Sequence, residues 1–388
     1  MRILIVSSVP THPVIAGNRK LILSYSQLFQ EWGHEVHFLY VNRYNLHKKR
    51  RCELNKSILP TKLYWGDNYH QYDCSLKENI VSNIHILLRK IFYNGYRCAD
   101  DIYPGGLDLK YLNLDKSFHF DAVIVNYFYL SKLLESISIT KKALFTHDSF
   151  SKNKKSEHKA AYYLSKEEER KALKRAPYVF AMQDIEAEYF KTLHPNGEIL
   201  INYSSCKYHI QPRIGNHNIL FLSGKSNFNM SGLKWFIDEI FPVIKAYFSD
   251  AKLCIAGSIC DLLPKYADRK DICLVGKVDN PDSFFLTGDI AINPCYQGTG
   301  LKIKTFEALA YDKITMVHPH STIGIFKRDT APVFSSEQPQ KWLSFLKKVW
   351  EEDNGLIDKL KAQIQAYMHE MDVFVKSQYR KFLDYNQI

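Results

Sequence analysis

The sequence predicts an α/β protein with two successive parallel-sheet domains. The chain has 388 residues, which is too long for one ordinary core and fits two domains of average size. Short apolar runs alternate with segments of helical periodicity in both halves of the chain. A polar stretch at residues 204–218, which contains Pro212 and Gly215, separates the two halves as a linker.

The first half begins with a strand–helix–strand unit. Residues 1–10 and 35–41 are apolar strand-like runs, and residues 18–32 between them have helical spacing. Such a unit requires a parallel sheet. Further strands are expected at 121–125, 142–145, 178–182 and 198–201, with a charged helix at 166–174. Residues 42–118 have poor periodicity, apart from a basic amphipathic helix at 83–93.

The second half repeats this architecture without visible sequence repetition. Strands are expected at 219–222, 252–256, 272–275, 289–293 and 314–317, and helices at 232–248, 305–311, 340–349, 356–371 and 373–385. We therefore expect two Rossmann-like domains, residues 1–207 and 208–372. Residues 373–388 form a C-terminal helix that is able to pack back on the first domain.

Composition and charge restrict the class of protein. The chain is 46% hydrophobic and 24% charged, which is ordinary for a soluble protein. It has no apolar run of membrane-spanning length, and residues 1–10 lack the features of a signal peptide. The eight cysteines form no CxxC pair, and Cys254, Cys273 and Cys295 lie in or beside apolar runs. These features predict a cytoplasmic protein with reduced core cysteines and no cysteine metal site.

The net charge of +11 is concentrated in the first half, where residues 1–210 hold 30 Lys and Arg against 21 Asp and Glu. This excess predicts an anionic partner, for which nucleic acid, an acidic glycan and anionic lipid headgroups all qualify. No nucleic-acid-binding motif is present. The basic residues 47–51 and the segment 83–97 fit either solvated surface or peripheral contact with an anionic membrane.

Residues 293–310, with the sequence NPCYQGTGLKIKTFEALA, form the clearest candidate binding segment. A strand ends, a loop containing Gly298 and Gly300 follows, and a helix begins. This geometry directs backbone N–H groups and the positive helix end at one point, which suits a diphosphate. Lys302 and Lys304 can balance phosphate charge, and a carboxylate at Glu307 can accept two hydrogen bonds from a ribose. The plain alternative is a strand–loop–helix joint whose glycines serve only the turn.

The same segment carries a family resemblance. Its helix matches the pattern K-x-x-E-A-[ML]-A through Lys304, Glu307, Ala308, Leu309 and Ala310. The chain resembles the retaining GT-B glycosyltransferases of the GT4-type, glycosyl transferases group 1. The similarity is strongest over residues 217–320 and collinear in the first half. The resemblance implies two Rossmann-like domains that face each other across a cleft, the GT-B fold.

The resemblance implies roles for individual residues of the second domain. Glu307 would bind the nucleotide ribose, and the amides of Thr299, Gly300 and Leu301 would contact phosphate or the donor sugar. Thr299 stands where many family members have a glutamate, so the identity of the sugar stays open.

Two further joints of that domain match the family. Lys225 matches the first of two cations that contact the diphosphate, whereas the second falls near Met230, which carries no charge. Gly276, Lys277 and Val278 would face the base through main-chain atoms.

The first domain contributes three further candidates. Gly17 lies in the loop before the first helix, where family members place a glycine near the donor phosphates. His147 and Asp148 follow a predicted strand. A family histidine at this place lies against the donor sugar, and an adjacent Asp148 could orient an acceptor hydroxyl or act as a base. The alternative is an aspartate that caps the next helix, with His147 packed beside it.

The predicted function is transfer of a sugar from a nucleotide diphosphate sugar, of the UDP or GDP type, to a glycan or lipid-linked acceptor in bacterial surface polysaccharide synthesis. The resemblance implies retention of configuration, and the absence of a DxD pair flanked by an apolar strand argues against an obligatory metal. No cofactor is expected. Three alternatives stay open: a GT-B sugar-nucleotide epimerase, a basic nucleic-acid-binding protein, and an inactive donor-binding homologue.

Overall fold

The computed structural model describes residues 1–14, 16–43, 48–92, 96–152, 163–203, 207–278, 280–298, 301–352 and 355–384, with the side chains of 48–55 and 90 excepted. The chain divides into two compact units. The first consists of Met1–Ser205 together with Val375–Ile388, and the second is Cys206–Phe374. Each unit is built around one parallel sheet, so the predicted α/β class with two parallel sheets is confirmed.

The first unit has a sheet of seven parallel strands in the order β3-β2-β1-β4-β5-β6-β7. The strands are β1 (Arg2–Ser7), β2 (Glu35–Asn42), β3 (Tyr69–Asp73), β4 (Ala122–Asn126), β5 (Lys142–Phe145), β6 (Tyr178–Ala181) and β7 (Glu198–Ile201). The central strands β1 and β4 are buried along almost their whole length. Helices cover both faces of such a sheet, which is why these strands are continuous apolar runs.

The helices of the first unit are α1 (Gly17–Glu31), α2 (Lys48–Trp65), α3 (Leu76–Phe92), α4 (Leu107–Phe118), α5 (Lys166–Leu173) and α6 (Asp184–Leu193). Residues 42–118, where the sequence pattern predicts only a helix at 83–93, hold α2, β3, α3 and α4, and α3 begins earlier than predicted, at Leu76. Periodicity fails here for physical reasons. Helix α2 contains Pro60 and has no apolar stripe, and β3 is a polar edge strand of half-buried residues.

The second unit has a sheet of six parallel strands in the order β10-β9-β8-β11-β12-β13. The strands are β8 (Asn218–Leu222), β9 (Lys252–Ala256), β10 (Ile272–Gly276), β11 (Ile290–Asn293), β12 (Ile314–Val317) and β13 (Val333–Ser335). The helices are α7 (Asn227–Trp235), α8 (Phe241–Tyr247), α9 (Pro281–Phe285), α10 (Ile303–Ala310), α11 (Pro339–Lys347) and α12 (Leu356–Leu383). Helix α7 begins five residues before the predicted start at residue 232.

Helix α12 is one continuous helix, where the sequence predicted two segments with a break near residue 372. No proline or glycine interrupts residues 356–383, so the backbone has no reason to break there. Its last turns belong to the first unit. There the ring of Tyr379 packs against Tyr25, Phe29 and Phe180 at centroid distances of 5.9, 5.2 and 5.1 Å.

The six described cysteines are free thiols. Cys254 and Cys295 are buried as predicted, whereas the expectation that Cys273 lies in the core is wrong. Cys273 is exposed because β10 is an edge strand of the second sheet. Among the helices of the described residues, none has the length and apolar character needed to span a bilayer.

Candidate active site

Both sheets have a point where the strand order reverses. In the second unit β9 and β10 lie on one side of β8, and β11, β12 and β13 lie on the other, so the reversal falls between β8 and β11. In the first unit the reversal falls between β1 and β4. Open parallel sheets bind ligands in the crevice outside the carboxyl ends of their strands at such a point. The predicted site residues that the structure describes all follow the carboxyl ends of strands in their own unit.

A hydrogen bond joins the two segments that flank the reversal point of the second unit. The Nζ of Lys304, in the first turn of α10, donates to Asn229 Oδ1 in the first turn of α7 at 2.8 Å. The Sγ of Cys295 donates to the same oxygen at 3.5 Å. The other end of the Asn229 amide donates to the Gly224 carbonyl at 2.7 Å. A lysine that follows β11 is therefore held against the helix that follows β8.

The close approach of these segments requires a glycine in α7. A Cβ built on Gly232 would lie 2.7 Å from the Cα of Cys295 and 2.7 Å from the carbonyl oxygen of Pro294. Both neighbours are backbone atoms, which cannot rotate away as a side chain would. Gly232 therefore sets the distance between α7 and the loop after β11.

Replacing Gly232 with alanine is expected to destabilise the protein by about 1–3 kcal/mol, because it overpacks a backbone contact. The shift of α7 is also expected to weaken nucleotide binding by displacing Asn229 from Lys304. Chemical denaturation and nucleotide titration measure the two effects. Gly224→Ala is the matched control, since a Cβ there meets no described atom within 4 Å. Equal behaviour of the two variants would show that the contact does not shape the site.

The loop after β11 is held by two side chains that share one acceptor. The carbonyl oxygen of Gly298 accepts a hydrogen bond from Lys302 Nζ at 2.8 Å and lies 2.8 Å from His320 Nε2. Gly298 has a φ of 100°, a conformation that favours glycine. Burial lowers the pKa of Lys302 to about 8. The buried Lys302 side chain therefore supports the loop through its hydrogen bond to Gly298. Thr299 and Gly300 lie outside the described residues.

Glu307 and Lys304 are three residues apart on α10 and share one side of that helix. Glu307 is half-buried, and Leu301 lies just before the helix. No side chain among those described caps α10 at its start. The N–H groups of Ile303, Thr305 and Phe306 instead donate to the carbonyls of Leu301 and Lys302.

The remaining predicted residues of the second unit line the neighbouring strand ends. The Nζ of Lys225 lies 3.6 Å from Asp261 Oδ2, and both side chains are about half exposed, so this ion pair is weak. Lys277 is exposed, whereas Val278 packs on a small apolar cluster with Leu222. Met230 packs against the main core of the unit. Its side chain therefore has a structural role.

In the first unit, Asn126 at the end of β4 is the centre of a buried hydrogen-bond network. Its Oδ1 accepts from Tyr25 OH at 3.0 Å and lies 2.8 Å from His147 Nε2. Its Nδ2 donates to the carbonyl of Val6 at 3.0 Å. Because the amide nitrogen faces a carbonyl, Oδ1 must be the acceptor, and His147 Nε2 carries the proton.

His147 is a neutral, packed imidazole. It has a φ of 65°, and its ring stacks on Tyr127 at a centroid distance of 4.2 Å. Burial lowers the pKa of His147 to about 3. The Nδ1 lone pair can accept a hydrogen bond from a hydroxyl, but the ring does not hold a second proton at neutral pH. Asn18, which follows Gly17 at the start of α1, donates to Tyr127 OH at 2.8 Å, so the segments after β1, β4 and β5 are connected.

Asp148 is half-buried, and its Oδ1 accepts from the backbone N–H of Ser149 at 2.8 Å. Residues 149–152 are not helical, so Asp148 does not cap a helix there. Its charge acts on Glu186, a buried residue in the first turn of α6. Burial, with a further contribution from Asp148, raises the pKa of Glu186 to about 8. The carboxyl group of Glu186 is therefore largely protonated at neutral pH.

The raised pKa of Glu186 gives a pH-dependent contribution to stability. Its stabilising effect is complete below the unfolded pKa of about 4.3 and is lost as the pH rises through about 8, because the folded state then must bury a charge. Glu186→Gln removes this loss. Relative to the unmodified protein, the variant is expected to gain about 4 kcal/mol between pH 5 and pH 9. Denaturation curves across this range measure the difference, and a pH-independent difference would contradict the assignment.

The sequence pattern does not identify two residues of the site, Asn229 and His320. His320 follows β12, and the rule that polar residues after a parallel strand are functional candidates could have identified it. Within the described residues, no group of three or more His, Cys, Asp or Glu side chains is arranged to hold a metal ion.

The fold and the site define an α/β protein in which Lys304 is held where the strand order of the second sheet reverses. Residues 216–352 match the family described as Glycosyl transferases group 1. This match covers most of the second unit and includes Lys225, Lys304 and Glu307. No curated protein sequence matches the chain significantly.

Solved structures share the fold over the whole chain at low identity. TarM of S. aureus superposes with a TM-score of 0.67 at 9% identity, covering 99% of this chain and 98% of TarM. An E. coli structure described as trehalose-6-phosphate bound with UDP-2-fluoro glucose gives 0.61 at 10%, with 100% of both chains covered. The lipopolysaccharide outer core galactosyltransferase WaaB gives 0.59 at 12%, also covering 100% of both.

These comparisons confirm the resemblance found in the sequence. The chain has the GT-B fold and carries a group 1 glycosyltransferase domain in its second unit. Together, the domain match and the shared fold support a glycosyltransferase enzyme.

Proposed function

We propose that the enzyme transfers a sugar from a nucleotide diphosphate sugar, of the UDP or GDP type, to a glycan or lipid-linked acceptor. The observation that carries the proposal is the hydrogen bond from Lys304 to Asn229. It places a cation where the strand order of the second sheet reverses, between β8 and β11. A diphosphate bound in that crevice would meet a lysine whose position is fixed before the ligand arrives.

In the proposed donor site, each part of the nucleotide sugar contacts the residues that follow a different strand. Lys304, Lys225 and the start of α10 would bind the diphosphate, and Glu307 would accept hydrogen bonds from the ribose. The main chain at Lys277 and Val278 would face the base, and Thr299, Gly300 and Leu301 would approach the phosphate or sugar. Lys304 would also supply the second cation, which the apolar side chain of Met230 cannot provide.

Charge stabilisation of the leaving group is the chemistry that these residues can supply. Negative charge builds on the diphosphate as the bond to the sugar breaks, and lysines and helix N-terminal N–H groups stabilise it. With these groups in place we propose that no metal ion or cofactor is required. We also propose retention of anomeric configuration by attack on the front face of the sugar.

The first unit is proposed to present the acceptor. Asp148 would orient the acceptor hydroxyl, and Gly17 would allow close approach of the donor phosphates at the start of α1. His147 is neutral with Nδ1 available, so it would accept a hydrogen bond from a sugar hydroxyl. We assign it no role as a proton carrier at neutral pH, because burial lowers its pKa to about 3.

The relatives favour a UDP donor and a surface glycan. The E. coli structure holds UDP-2-fluoro glucose, and a mutant of S. aureus TarM was solved with UDP and alpha-GlcNAc-glycerol. WaaB is described as acting on lipopolysaccharide. By analogy we propose a role in bacterial surface polysaccharide synthesis, in the cytoplasm and at the inner face of an anionic membrane.

A thermal-shift screen of UDP- and GDP-sugars, followed by a hydrolysis assay of each stabilising donor, tests the proposal. We expect one donor to raise the melting temperature and to be hydrolysed slowly without acceptor. Stabilisation by none of them would contradict the proposal. Formation of an epimerised donor would favour the epimerase alternative, and stabilisation by RNA or DNA alone would favour a nucleic-acid-binding protein.

A further inference from the structure

Helix α3 turns its apolar side toward solvent. Leu76, Ile80, Ile84, Leu87 and Ile91 follow one another at intervals of three or four residues, so they form one stripe along the helix. Each of these side chains is exposed, by between 48% and 64%. Three more exposed apolar residues flank the stripe, namely Val81, Leu88 and Phe92. A surface helix of a globular protein normally buries this side.

The opposite side of α3 is polar and faces the protein. Asn79 and Ser82 are buried, and Asn79 Nδ2 donates to the carbonyl of Ser75 at 2.8 Å. Further along, the guanidinium of Arg89 lies 3.7 Å from Asp101. The burial of Asn79 and Ser82 and the ion pair of Arg89 with Asp101 show which side of the helix faces the protein. The exposed stripe is therefore a consequence of the fold.

The start of α3 is anchored by its one acidic residue. Glu78 accepts hydrogen bonds from Tyr72 OH at 2.7 Å, from the N–H of Ser75 at 2.8 Å and from the N–H of Gly106 at 3.0 Å. Its charge is satisfied internally, and these bonds contribute to lowering the pKa of Glu78.

The charges of this helix and of the surrounding half of the chain are mainly basic. Helix α3 carries Lys77, Arg89 and Lys90 against Glu78 alone, and residues 1–210 hold 30 Lys and Arg against 21 Asp and Glu. An aliphatic stripe beside net positive charge is complementary to an anionic lipid surface, where the acyl boundary takes the apolar residues and headgroups pair with lysines.

We propose that α3 lies in the interface of an anionic membrane, with the stripe from Leu76 to Ile91 inserted at the acyl boundary. The helix is about 25 Å long, which suits a helix lying in the membrane plane. The stripe is aliphatic and lacks the Trp and Tyr anchors typical of protein interfaces, which favours lipid over a protein partner. The inference deepens the proposed function and rests on it in one respect, because such an anchor serves a lipid-linked acceptor.

Flotation with lipid vesicles tests the insertion of the stripe. The protein is expected to float with vesicles of phosphatidylcholine containing about one third phosphatidylglycerol. Ile84→Asp with Leu87→Asp is expected to weaken binding about a hundredfold, because charged groups are costly at that depth. The matched control is Ile210→Asp with Val373→Asp, which places the same charges at exposed apolar residues of the second unit. Equal loss in both pairs, or no loss in the first, would overturn the proposal.

The electrostatic part has its own test. Lys77→Glu, which reverses the charge of an exposed lysine on α3, is expected to reduce binding to the anionic vesicles about tenfold and to leave binding to pure phosphatidylcholine unchanged. Raising the salt concentration from about 0.1 M to about 0.5 M should reproduce that loss. Binding that is insensitive to both changes would contradict an anionic lipid partner.

The readouts separate this inference from the proposed function. Flotation needs no donor, and donor hydrolysis without vesicles is expected to be the same in the α3 variants as in the unmodified protein. Sedimentation velocity tests the competing occupant. The unmodified protein could be a dimer that does not bind vesicles and that Ile84→Asp converts to a monomer. That result would show that the stripe is an interface between two copies of the chain and that the membrane proposal is wrong.

Discussion

Replacing Glu307 with alanine is expected to lower kcat/KM for sugar transfer by about a hundredfold or more. The carboxylate would accept two hydrogen bonds from the ribose diol, and each hydrogen bond to a charged group contributes about 1.5–3 kcal/mol. The ribose does not react, so this contact is made equally in the ground state and the transition state. Most of the loss should therefore appear as a higher KM for the donor.

Steady-state kinetics with the donor found by thermal shift measures this effect. Glu307→Gln should lose less than the alanine variant, because the amide oxygen can still accept one of the two hydrogen bonds. Glu352→Ala is a suitable control, since Glu352 is an exposed glutamate of the same unit. A Glu307→Ala enzyme with unchanged KM and kcat would remove the ribose assignment.

Replacing Lys304 with methionine is expected to lower kcat by about a hundredfold to a thousandfold. The lysine would face charge that develops on the diphosphate only as the sugar leaves, so its contribution is largest in the transition state. Its ammonium group is held by Asn229 Oδ1 at 2.8 Å. Unlike the loss at Glu307, this loss should appear mainly in kcat.

Three further variants separate the effect of the Lys304 charge from that of its position. Lys304→Arg keeps the charge but changes the geometry against Asn229, so partial activity is expected. Asn229→Ala leaves the lysine in place but free to move, which should cost less than deleting the charge. Lys234→Met deletes an exposed lysine of α7 and should have little effect. If Lys304→Met and Lys234→Met behave alike, the cation at the reversal point is not catalytic.

The elements that could be predicted from the sequence are those whose own residues show the pattern of buried and exposed positions. Strands such as β1 and β4 are apolar runs because both of their faces are covered. Strand β3 and helix α2 could not be recognised in the same way. The first is a polar edge strand that depends on pairing with β2, and the second contains Pro60 and has no apolar stripe.

The same distinction applies to the candidate site: residues in a local sequence pattern could be predicted, and contacts between distant segments could not. Lys304 and Glu307 were found because they belong to a local pattern on one helix. The contact between Lys304 and Asn229 joins residues 75 positions apart, and the approach of Gly232 to Cys295 is also tertiary. Similarly, burial makes Lys302 a support of the loop, although its sequence position suggested a phosphate contact. The sequence pattern identifies such residues, but only their tertiary contacts show which of them support the loop and which can contact a ligand.

Hydrogen–deuterium exchange with and without the stabilising nucleotide sugar tests the central claim most directly. The claim is that the strand ends on either side of the reversal point in the second sheet bind the nucleotide diphosphate. We expect slower exchange in peptides covering residues 223–235 and 294–310 when the donor is bound, and loss of that protection in the Glu307→Ala variant. Saturating donor with unchanged exchange in both segments would contradict the account.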